Sequence, residues 1–171
     1  MQLGLRLILA LTLSAAFAAS AHAFEAEQYI DTADAIIKIA KRGKVKDVDK
    51  LIDMERELIR LGVEGCLEHA ELNPTDLKLM QLVVLNSQRM RKLSLDDLQK
   101  DWIEGVYPTS HGVAIDKLGP KDPAQQFLDM VVRPAAAIIA LQNFKKSKNA
   151  AMLQRVQEET EKARSGAVAQ K

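Results

Sequence analysis

Apolar side chains recur every three or four residues along almost all of this chain, and that spacing holds one face of an α-helix apolar. Tyr29, Ile30, Ala33, Ile36, Ile37 and Ala40 form one stripe, and Val48, Leu51, Ile52, Leu58, Ile59, Val63, Cys66, Leu67 and Ala70 form a second. Leu77, Met80, Val83, Val84 and Met90 form a third; Phe127, Met130, Val131, Ile138, Leu141 and Phe144 a fourth; Met152, Leu153 and Val156 a fifth. No stretch alternates polar and apolar residues for long, so nothing reads as a strand. The pattern breaks once, between Asp101 and Pro123, where Gly105, Gly112, Gly119, Pro108 and Pro120 crowd together. The chain therefore reads as all-α, an antiparallel helical bundle of five to six helices carrying one long Gly/Pro-rich loop.

Punctuation places the helix ends. Helices are predicted over 25–42, stopped by Gly43, and over 45–72, weakened by Gly62 and Gly65 at about 1 kcal/mol each relative to Ala. Asn73-Pro74-Thr75-Asp76 restarts a helix that runs to about Lys92, with Asn as cap and Pro in the first turn. Ser94-Leu95-Asp96-Asp97 resembles a capping box and opens a short helix through Trp102 and Ile103. Asp122-Pro123 opens the next by the cap-then-Pro logic, and Pro134 inside it should kink or divide it near Arg133. Ala135, Ala136 and Ala137 are small enough to admit a close neighbour. The last helix is read over 149–164. Its later half (Glu158, Glu159, Glu161, Lys162) reads as projecting into solvent, and 165–171 as a disordered tail.

The first 23 residues are set apart as a signal peptide. A single positive charge at Arg6, an apolar run from Leu7 to Ala19 and the small-x-small triplet Ala21-His22-Ala23 match a secretory leader. Ala19-Ser20-Ala21 is a second fit for the cut. The apolar run is too short to span a bilayer comfortably, since a span needs about 20 residues. The expectation is a soluble periplasmic protein, with no stable membrane insertion after cleavage. The bundle domain is then 24–164.

Charge excludes some partners. Setting the leader aside removes Arg6 and leaves 23 basic residues against 23 acidic ones. A balanced chain gives no reason to expect nucleic acid as a partner. Cys66 is the only cysteine, so no internal disulfide can form, and the absence of a CxxCH motif excludes covalently attached c-type haem. No Glu-x-x-His occurs, which excludes the carboxylate di-iron bundles that use it.

Candidate site residues lie in and beside the break. Segments of that length without regular structure are uncommon in compact domains and often functional. Two readings stand side by side: a crossover that lids one end of the core, or a pocket wall made by Trp102, Tyr107 and His111. An aromatic wall with a polar handle suits a small apolar ligand or a partner's side chain. Arg133, amid Val131, Val132 and Ile138, could pair with Asp129, reach solvent or hold an anion. Ser110-His111 offers a nucleophile beside a base, but neighbours in sequence rarely face each other and no orienting acid is identifiable. Cys66 and His69 fall on one helix face, and with His111 could bind zinc, copper or non-covalent haem.

The order Trp102-Ile103-Glu104-Gly105, then Val131-Val132-Arg133-Pro134-Ala135, resembles small exported helical proteins of Gram-negative bacteria across the C-terminal part of the chain. The repeated Leu-Thr-x-x-Gln signature of the helical stress chaperones of that compartment is missing. The resemblance implies an exported helical protein and no particular activity. The expected role is non-catalytic binding of a partner protein or small ligand, with homo-oligomer formation left open. A metal- or haem-binding bundle is the alternative, and a hydrolytic enzyme a distant third.

Overall fold

The computed structural model describes residues 24–171. The signal-peptide reading therefore lies outside the described residues. Among the described residues seven α-helices follow in order: α1 (Ala26–Lys41), α2 (Val48–Leu72), α3 (Leu77–Met90), α4 (Leu95–Leu98), α5 (Val106–Ser110), α6 (Pro123–Ser147) and α7 (Ala150–Ala169). A π-helical turn over Gln99–Ile103 extends α4, and a 3-10 turn over Ile115–Lys117 follows α5. No strand occurs among the described residues.

Most residues of the predicted stripes enter the core, while Leu67 and Leu77 are exposed. Tyr29, Ala33, Ile36, Leu51, Leu58, Met80, Val83, Met130, Ile138 and Leu141 are all buried. α6 is the central helix: it packs against α7, α2, α3 and α4, while α1 packs against α7 and α2. Among the described residues it is also the one helix long and apolar enough to cross a bilayer, yet most of it is buried inside the bundle. Side-chain caps fix several starts. Asp47 accepts from Lys50 N–H at 3.0 Å, Ser94 from Asp97 N–H at 3.0 Å, Asp122 from Ala124 N–H at 2.9 Å and Asn149 from Ala151 N–H at 3.0 Å.

Pro134 does not divide α6, which runs unbroken from Pro123 to Ser147. A proline lacks the N–H that would bond the carbonyl four residues earlier, which here is Met130. That carbonyl is not orphaned. The Tyr29 hydroxyl, from α1, donates to it at 2.7 Å in the buried core. Gly62 of α2 faces the same group: a Cβ on Gly62 would lie 2.7 Å from the Met130 oxygen. The glycine that weakens α2 locally is thus what lets α2 pack against α6.

Two predicted ends differ. Asn73 does not cap α3. Its backbone N–H and its Nδ2 both donate to the His69 carbonyl, at 2.8 and 3.0 Å, closing α2 instead. α3 accordingly begins at Leu77. The C-terminus is not a disordered tail either. α7 continues to Ala169, with Gly166 and Ala167 buried, because Gly166 lets it approach the first turns of α6 near Gln126 and Met130.

The 105–122 segment is only partly irregular. Pro108 sits in the first turn of α5, where a missing N–H removes no intrahelical bond, so the helix breaker is tolerated. Gly105 precedes α5 with φ +79, and a Cβ there would overlap the Ile115 side chain. Gly105→Ala adds left-handed strain to that overlap and is expected to cost about 2–3 kcal/mol in urea unfolding. A loss below about 0.5 kcal/mol would mean the segment is not held in this conformation.

Candidate functional site

The segment is anchored by the π-turn. Its wider winding puts the Glu104 N–H on the Gln99 carbonyl at 2.8 Å and turns Trp102 into the core, where it is 2% exposed. Tyr107 stacks on Trp102 with ring centroids 5.0 Å apart and planes at 31°. His111 stacks on Tyr107 at 4.2 Å and 34°. The three rings form one file that runs from the core, through a half-buried tyrosine, to an exposed histidine. The structure brings the three predicted rings together, with Trp102 as a buried foot rather than part of an open surface.

Hydrogen bonding fixes the outer end of the file. His111 Nδ1 lies 2.8 Å from the Tyr107 carbonyl, which can only accept, so Nδ1 carries the hydrogen. Ser110 Oγ donates to the same carbonyl at 2.7 Å and lies 3.1 Å from His111 Nδ1. The two side chains do meet, contrary to expectation. The nitrogen facing the serine already donates, however, so in this tautomer it cannot take the serine's proton. Nε2 is left as the acceptor.

Clefts lie on either side of the segment. One, of about 320 Å³, is lined by Ile103, Glu104, Ile115, Asp116, Asp129 and Arg133 among others. The other, of about 270 Å³, lies between the start of α3 (Asp76, Lys78, Leu79) and Gly112–Ala114. Arg133 is not a free anion holder. Its Nε donates to Asp129 at 2.8 Å, as one of the sequence alternatives has it, and its Nη1 donates to Glu159 at 3.1 Å.

Glu159 belongs to a polar cluster that the sequence reading assigns to solvent. It is 1% exposed, and Arg155 Nε lies 2.7 Å from its Oε1, close in charge but not aligned for a hydrogen bond. Glu55 of α2 is fully buried beside it, 2.6 Å from Thr160 Oγ1. Thr160 Oγ1 is also 2.7 Å from the Val156 carbonyl. A hydroxyl has one hydrogen, so the Glu55 carboxyl and the Val156 carbonyl share Thr160 as their donor. Burial, with Glu159 adding repulsion against the Thr160 hydrogen bond, pushes the Glu55 carboxyl up to about 8.

Cys66 and His69 are each occupied elsewhere, and His111 stands at the exposed end of the aromatic file. Cys66 Sγ faces the Phe127 carbonyl at 3.7 Å, and burial pushes its thiol well above the ordinary value, away from the thiolate a metal needs. His69, also buried, places Nε2 2.8 Å from Asp76 and Nδ1 3.1 Å from Asn73 Nδ2, so both ring nitrogens have partners. Among the described residues no group of three or more His, Cys, Asp or Glu stands where it could hold a metal ion. No family model, characterised protein or solved structure matches this chain.

Proposed function

We propose that this chain is an exported, non-catalytic binding protein of the periplasm, and that the 105–122 face receives its partner, a protein or a small apolar ligand. The observation that carries the reading is the Trp102–Tyr107–His111 file. A ring seated in the core holds a second ring half open and a third in solvent, which gives rigid contact area at low entropic cost. His111 Nε2 supplies a directional acceptor at its tip, and the mostly polar cleft lined by Ile103, Glu104, Ile115, Asp116 and Arg133 lies against the same segment. Arg133 serves this reading as a clamp between α6 and α7 that holds the cleft's floor, in place of an anion-binding group.

The test pairs Tyr107→Ala with His111→Ala. Native mass spectrometry of the protein drawn from periplasmic extract is expected to show a bound species on the natural chain. Both variants should lose it while their melting temperatures stay within about 3 °C. A large drop in melting temperature with the bound species retained would make the segment a lid on the core. A stoichiometric metal in the same spectrum would install the metal-binding alternative.

A further inference from the structure

We propose that the cleft at the C-terminal half of α2 is a receptor for an α-ammonium group, namely the chain's own amine released at Phe24. The inference rests on the leader being removed, and it selects between the two cuts that the sequence allows. Phe24 N–H donates to Glu68 Oε2 at 2.7 Å, and among the described residues this is the one hydrogen bond that the Glu68 carboxylate accepts. The Phe24 ring fixes the geometry. It packs edge-on against Phe127 (5.9 Å, 78°) and Tyr29 (6.2 Å, 61°) and lies over Gly65. The cleft around it, about 360 Å³, continues over His69, Leu72, Asn73 and Gln170.

The charge on the donor depends on where the chain begins. With residues ahead of Phe24, the group on Glu68 is a neutral amide with one hydrogen. With Phe24 first, it is an ammonium with three hydrogens and a full charge, so attraction between opposite charges adds to a hydrogen bond that the carboxylate already strengthens. Cutting after Ala21 leaves His22 and Ala23 in front and moves the ammonium two residues away, each residue spanning up to about 3.6 Å. The aromatic seat therefore makes Glu68 selective for the cut after Ala23. Removal of the leader converts a single amide–carboxylate hydrogen bond into an ion pair that ties the N-terminus to α2.

Four chains decide the matter: one starting at Phe24 and one at His22, each with Glu68 or Glu68→Gln. The Phe24 chain is expected to melt about 2–4 °C above the His22 chain, and the gap is expected to vanish with Glu68→Gln. Equal melting temperatures, or a gap that persists with Glu68→Gln, would overturn the receptor. N-terminal sequencing of the exported protein tests the leader separately. A start at His22 would overturn the cut after Ala23, while the four chains would still report on Glu68.

Discussion

Glu55→Gln is expected to stabilise the folded chain by about 2–4 kcal/mol at pH 8 and to change it little at pH 4. The folded carboxyl is pushed up to about 8 from an ordinary value of 4.5. Below 4.5 both states hold the proton, and the acid contributes as a neutral group. Between 4.5 and 8 the unfolded chain releases its proton while the folded chain keeps it, so the unfolded state gains and stability falls as pH rises. Above 8 the folded state carries a buried charge and the loss is complete. The shift would give about 5 kcal/mol if none of it relaxed, and local rearrangement reduces that. Glutamine keeps the shape, keeps an oxygen that accepts from Thr160, and does not titrate. Urea midpoints from pH 4 to pH 9 check this. The natural chain should lose stability across that range and the variant should lose much less. Parallel curves would mean that Glu55 is not buried in protonated form.

Tyr29→Phe is expected to cost about 2 kcal/mol, or about 4–8 °C in melting temperature. Removing the hydroxyl leaves the Met130 carbonyl without its donor in a site closed to water. A second substitution makes the claim specific. Pro134→Ala restores the N–H that α6 lacks, and that N–H reaches the same carbonyl. Tyr29→Phe should therefore cost much less in the Pro134→Ala background. The double-mutant cycle measures the difference, expected at about 1–2 kcal/mol. Costs that simply add would show that the tyrosine and the proline are independent.

These two predictions mark what the sequence could and could not disclose. Local rules worked where the interaction is local. Most of the apolar stripes face the core, and Ser94, Asp122 and Asn149 stand at helix starts with their side chains on the backbone, each partner being two or three residues away. Tyr29 read correctly as a core residue, but its hydroxyl partner lies 101 residues on. Glu55 and Thr160 are 105 residues apart, and Glu159 meets Arg133 across two helices, so the charged half of α7 looked like a solvent face. Asn73 was misassigned because a cap can serve the helix before it or the one after it, and composition does not distinguish them. In the candidate site, Tyr107 and His111 are four residues apart and one helical turn brings them together. Trp102 joins them only because the π-turn re-aims it, and no residue pattern announces that turn.

α6 has a further consequence for the chain before it folds. Its length and apolar character meet what a translocation channel or a bilayer would accept as a spanning segment, and only the surrounding helices make it an interior one. Until those helices gather, the discriminating features are Asp129 and Arg133, near its middle. A charge at the centre of a spanning helix disfavours insertion by about 2.5–3.5 kcal/mol. Arg133, which clamps α6 to α7 through Glu159 in the finished fold, thus also makes α6 a poorer spanning segment than its apolar residues alone would be.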